Sequence, residues 1–149
     1  MVREPAAGAF DEVVAPGGPI QAAIDRCREG GAILLKPGTY EPSETLVIAR
    51  EVHVFGRGLA RLRILHSFDA CLCLAPTATL DGLILERARG LGKSDGVLIH
   101  GGHMRLQNTA ITGSFTCGIS VLHEADPFIV ACRSVQRGFL QSPICFPPN

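Results

Sequence analysis

The residues whose type and spacing could do chemistry are few. Asp95 lies in Lys93-Ser94-Asp95-Gly96, His100 and His103 flank Gly101-Gly102, and Arg63, Arg89 and Arg105 stand along the chain. An acid before Gly suits general acid work, and equally suits a turn, where its side chain bonds nearby backbone. Hydrolysis of a glycosidic bond with inversion needs a second carboxyl about 6.5–9.5 Å away. Calcium needs about six or more oxygens, whereas Asp69, Asp81, Asp95 and Asp126 are scattered. Asp95 is therefore the sole catalytic candidate, and its turn reading prevails.

His100-Gly-Gly-His103, with Cys117 and His123 further on, imitates a zinc-ligand spacing, but no Cys-x-x-Cys supports it. Arg57, Arg61 and Arg63, followed by Arg87 and Arg89, suggest a basic ridge, since Arg63 and Arg89 are 26 apart. Solvated arginines balanced by Glu86 are the plainer expectation. His100, His103, Arg105, Arg63 and Arg89 are the binding candidates; no metal and no cofactor are expected.

These residues need a scaffold. The 149 residues suit one domain, and 46% hydrophobic with 19% charged residues is ample for a core. Lys plus Arg equals Asp plus Glu, 14 each, so nothing draws the chain as a whole to nucleic acid or an anionic membrane. Neither a signal-like apolar run nor a membrane-span-length one is evident, which points to a cytoplasmic or nuclear setting. In that setting the six cysteines read as buried free thiols.

Residues 1–12 read as a flexible N-terminus, 13–141 as the folded domain and 142–149 as a tail. Within the domain, 19–29 form a helix. Pro19 suits its start, Ile20, Ala23, Ile24 and Cys27 make one apolar stripe, and Gly30-Gly31 end it. Val52-His-Val-Phe-Gly56 then recurs as Ala78–Gly82, Met104–Asn108 and Phe128–Cys132, at steps of 26, 26 and 24. A second strand precedes each copy, and Leu59, Leu85, Ile111 and Val135 follow three residues after it.

Short β segments with small corner residues at this period predict a parallel β-helix of four to five coils, whose strands stack about 4.8 Å apart. The expected inward columns are Val52/Ala78/Met104/Phe128, Val54/Leu80/Leu106/Val130 and Ile48/Leu74/Ile99/Val121. Val47, Cys73, Leu98 and Ser120 should then face outward. The Gly101-Gly102 loop should accept substitution. The helix should cap the first end, while the C-terminal end, left without a comparable cap, invites end-to-end self-association.

The opening Ile20-Gln-Ala-Ala-Ile-Asp25, then Gly31-Ala-Ile-Leu-Leu-Lys-Pro-Gly-Thr-Tyr40, Thr45–Ile48 and Val52–Gly58 carry a family resemblance. Over about residues 14–140 the chain resembles the right-handed parallel β-helix proteins of the pectin-lyase-like class. That resemblance implies an all-β, single-stranded right-handed parallel β-helix with a short N-terminal capping helix. The class holds pectate lyases, polygalacturonases, phage tailspikes and non-catalytic members, among them the repeat regions of F-box and SH2-domain-binding proteins.

Lys93-Ser94-Asp95-Gly96 is similar to the polygalacturonase Asn-Thr-Asp-Gly segment. The positions for that family's Asp pair hold Phe115 and Thr116, and its Gly-His-Gly is missing. The resemblance therefore implies a non-catalytic module binding a protein or glycan partner along a stacked strand face. The alternative is a polysaccharide lyase or hydrolase, or a degenerate remnant of one.

Overall fold

The computed structural model describes residues 5, 8–88, 94–113, 115, 118–122, 124–136, 139–141 and 144–145. They form a right-handed parallel β-helix of about five coils. Strand β1 (Glu12–Val14) precedes helix α1 (Ile20–Arg26). The first coil is β2 (Gly31–Leu35), β3 (Gly38–Tyr40) and β4 (Leu46–Ile48). The second is β5 (Val52–Ile64), bent at its middle, and β6 (Cys71–Cys73); the third is β7 (Thr77–Arg87), also bent, and β8 (Val97–Ile99). The fourth is β9 (His103–Gln107), β10 (Ala110–Gly113) and β11 (Ile119–Val121). The last runs through β12 (Phe128–Val130), β13 (Arg133–Gln136), β14 (Phe139–Gln141) and β15 (Ile144–Cys145).

Each coil therefore has three sides. Face a stacks β2, the first half of β5, the first half of β7, β9 and β12. Face b stacks β3, the second halves of β5 and β7, β10 and β13. Face c stacks β4, β6, β8, β11 and β15. Face b was hidden in the repeat because it follows face a after a single corner residue in the third coil, Gly82.

That corner needs a left-handed backbone. Gly82 has φ +73°, and the equivalent Asn108 and Ala131 have φ +52° and +54°. A side chain at Gly82 would also meet the Arg57 amide nitrogen of the coil below at 2.7 Å. In the second coil four residues, 56–59, replace this one, and Leu59 is exposed in the resulting bulge.

The core is aliphatic and continuous. Val52, Ala78 and Met104 stack on one another, as do Val54, Leu80 and Leu106, and all are buried. Each such burial contributes about 1.5–3 kcal/mol for the larger side chains.

Three expected placements are corrected. Ile129, not Val130, continues the Val54–Leu106 column, because β12 pairs at a step of 23 rather than 24; Phe128 and Val130 face outward. On face c, Cys73 is the inward residue between Ile48 and Ile99, and Leu74 is exposed, leaving Leu72 in the outward row. Gly102 has φ +75°, and a side chain there would meet the Ala75 and Pro76 carbonyls at 2.6 and 2.7 Å, so only Gly101 stands in open space.

The first end is closed by several devices. Helix α1 lays Ile20, Ala23 and Ile24 on the core, with Cys27 beside them. Strand β1 pairs with the outer edge of β2. Phe10, in the stretch expected to be flexible, packs edge-on against Phe55 at 6.0 Å. At the other end β14 pairs antiparallel with β13, so the chain folds back there instead of starting a further coil at Phe139. Among the described cysteines Cys27, Cys71 and Cys73 are buried free thiols and Cys132 is a partly buried one.

Candidate functional site

Face a turns a row of polar residues outward. Register places His53, Thr79, Arg105 and Phe128 next to one another on successive coils. Beside them run Phe55, Asp81, Gln107 and Val130. Thr77 lies beside His103 at the strand starts and bonds to Glu51 of the coil below. The outward positions of a strand alternate with the inward ones, so the aliphatic columns fix where these groups point.

The row is hydrogen-bonded from coil to coil. The Thr77 hydroxyl donates to Glu51 Oε1 at 3.0 Å. The His53 ring lies 3.1 Å from Glu51 Oε2 through Nε2 and 2.8 Å from Thr79 Oγ1 through Nδ1. Gln107 and Asn108 each donate a side-chain N–H to Asp81, at 2.8 and 3.0 Å. The Arg105 guanidinium stacks 4.4 Å over the Phe128 ring. Bonds from the Thr77 hydroxyl and from His53 hold the Glu51 carboxyl below its ordinary value.

Glu51, His53 and Thr79 stand in the order of a carboxylate–imidazole–hydroxyl relay. Thr79 is 0% exposed, however, so its oxygen has no open side for a substrate. The relay ties the second coil to the third. At the first-coil end of the face a concavity of about 370 Å³ opens between Asp11, Arg28, His53 and Phe55. Arg28 bonds Asp11 at 2.7 Å, and Asp11 also accepts the Ala32 N–H at 2.8 Å. The Ala32 bond first, then the guanidinium, lowers the Asp11 pKa.

The catalytic candidate is elsewhere. Asp95 sits in the turn before β8, between faces b and c. Its N–H donates to Asp69 Oδ1 at 2.6 Å, and its Oδ2 accepts the buried Ser120 hydroxyl at 2.8 Å. Asp69 of the second coil thus supports Asp95 of the third, and Asp95 supports Ser120 of the fourth. Arg87, expected on the surface ridge, points inward at the end of β7 and is 2% exposed. Burial lowers its pKa while the Asp69 charge raises it.

Of the described binding candidates, His103 and Arg105 share β9, His100 lies just before it, and Arg63 is on another face. His100 is exposed after β8, its N–H bonded to the Cys73 carbonyl at 3.0 Å. His103 opens β9 with its ring 3.7 Å from the Asp126 carboxylate. Arg105 belongs to the face a row. Arg63 is on face b, where register sets it beside Glu86, with Nε 3.6 Å from that carboxylate. Arg61 reaches the same carboxylate at 2.7 Å. The ridge fails because this face repeats at 23 residues here, not 26. Arg89, Cys117 and His123 lie outside the described residues. Among the described residues no three His, Cys, Asp or Glu are grouped to hold a metal ion.

The His53–Thr79–Arg105 row was not singled out from sequence, although it keeps the step of 26 of the inward columns. Polar residues at that step, displaced one position from the aliphatic ones, were the available signal. No protein-family model, curated protein or solved structure matches this chain. No helix among the described residues is long and apolar enough to cross a membrane.

Proposed function

We propose that the chain is a non-catalytic recognition module that binds an elongated partner, a protein segment or a glycan, along the outward surface of face a. The reading rests on the His53–Thr79–Arg105 row. Buried Thr79 and its bond to His53 brace the row, which runs at the strand spacing, about 4.8 Å, from the concavity at His53 to the Arg105 guanidinium stacked on the exposed Phe128 ring. Its hydrogen bonds hold the side chains in place before a partner arrives, which lowers the ordering cost of binding. Coils of three short parallel strands under a capping helix are also the build of the pectin-lyase-like class that the opening residues resemble. The bonded carboxylates of Asp81 and Asp95 favour its non-catalytic members.

A glycan array and a cross-linking pull-down test this reading with the native chain and Arg105→Glu. Arg105 is on the surface row and outside the core, so the variant should fold. A ligand that cross-links to face a and is lost in the variant supports it; ligands indifferent to Arg105→Glu overturn it. The second reading, a polysaccharide lyase or hydrolase, is favoured by the Glu51–His53 pair, whose imidazole lines the 370 Å³ concavity. Reducing ends released from polygalacturonate or a glucan, and abolished by Glu51→Gln or Asp95→Asn, would put that reading first.

A further inference from the structure

Strand edges at the first end of the β-helix are treated unequally. The outer edge of β2 is covered by β1. The outer edge of β4 is covered by one side chain: Gln21 of α1 donates to the Val47 carbonyl at 3.0 Å and accepts the Val47 N–H at 2.8 Å, as a neighbouring strand would. Strand β3 pairs with β5 on one side, and among the described residues no strand lies on its other side. Where a strand continuing from β1 would run, the chain turns away, with Gly18 N–H bonded to the Ala15 carbonyl at 2.8 Å. Pro16 packs against Gly38, at the start of β3.

The space left is a groove of about 520 Å³ between the start of α1 and the β3–β4 connection. Thr39 and Tyr40 form its wall, Gly17 and Gly18 one rim, and the exposed Glu41 and Glu44 the other. Tyr40 is buried, its hydroxyl 2.8 Å from the Val14 carbonyl and 2.7 Å from that of Lys36. The wall is therefore fixed. Two carboxylates and no Lys or Arg line the groove.

We propose that the outer edge of β3 is a strand-addition site for an extended, basic segment of a partner protein. An added strand would meet the unpaired side of β3 with its backbone and place Lys or Arg side chains toward Glu41 and Glu44. The site is at the end of the β-helix on face b, separate from the face a row. It stands whether or not that row binds anything.

The test is a titration of ¹⁵N-labelled protein with the blocked peptide acetyl-Val-Lys-Thr-Lys-Val-amide. Saturable amide shifts are expected at Gly17, Thr39, Glu41 and Glu44. Glu41→Lys with Glu44→Lys should weaken binding about tenfold. Methylating the peptide's central backbone nitrogens should weaken it as much with the native protein, so the result does not depend on a variant folding. Arg105→Glu should change nothing. Shifts elsewhere, equal binding of the peptide with Glu in place of Lys, or indifference to N-methylation would overturn the proposal. So would concentration-dependent shifts at these amides without peptide, which would assign the edge to a second copy of the chain.

Discussion

Faces a and c stack the same coils but use their outward residues in opposite ways. On face a the outward row is polar and bonded across coils, from Glu51 and Thr77 through His53 and Thr79 to Asp81 and Gln107. On face c the outward row is Val47, Leu72 and Leu98, each partly buried, ending at buried Ser120. The aliphatic part of that row has no directional side-chain bonds, so most of the side-chain specification of face c comes from its inward columns, Leu46–Cys71–Val97–Ile119 and Ile48–Cys73–Ile99–Val121. Face a is specified from both sides. The recognition role proposed above calls for fixed polar groups, and the doubly specified face has them.

The largest effects should ignore this difference. Leu80→Asp on face a and Ile99→Asp on face c each place an unpaired charge in the core, since Leu80 is 3% and Ile99 0% exposed. Each should cost more than about 4 kcal/mol and leave no cooperative melt. Thiol labelling gives the same answer independently. Burial pushes the Cys71 and Cys73 thiols up and hides them, so they should react with a thiol reagent only in the unfolded variants. A folded Leu80→Asp would break the column at Val54 and Leu106.

Next come positions where the faces should part. Asp81→Ala strips the Gln107 and Asn108 amides of their acceptor on face a and should cost about 1–3 kcal/mol in a urea melt. Leu98→Thr, outward on face c, loses only part of a half-buried side chain and should cost about 1 kcal/mol. The reverse order would show that the polar row is decoration. Gly102→Ala probes the turn that leads into face a. A left-handed backbone and two facing carbonyls should make it cost about 1–3 kcal/mol, while Gly101→Ala, in open space but at φ +141°, should be the milder of the two.

How much of this could be read from the residues follows from the same contrast. The step of 26 was legible on face a because polar and apolar residues alternate there, as in Val52-His-Val and Ala78-Thr-Leu. It blurred wherever neighbours were all apolar. Leu72-Cys73-Leu74 and Phe128-Ile129-Val130 give period-two reasoning nothing to choose with, and in both the inward residue lies one position from the expected one. The same slip shows at the corner, which falls at Ala131 instead of Cys132. Arg87 reads as a surface residue because nothing local signals that a charged strand end turns inward. Asp95 was found, but its role depends on Asp69 and Ser120, each about one coil away, and only the register brings them together.

The smallest effect should separate the faces by pH. Glu51 titrates below its ordinary value of 4.5 because the Thr77 hydroxyl and His53 bond its ionised form. A carboxyl with a lowered folded pKa contributes stability that is complete above the unfolded pKa and is lost as pH falls through the folded one. The native chain should therefore be more stable than Glu51→Gln near neutrality, and the two should converge in acid. Urea midpoints from about pH 7 down to about pH 3 would show the gap closing below the unfolded value. Leu98→Thr removes no titrating group, so its gap from the native chain should stay level across that range. A Glu51 gap equally flat would mean that the bonds to Thr77 and His53 do not favour the carboxylate, and the row would lose its claim to be held in place by charge.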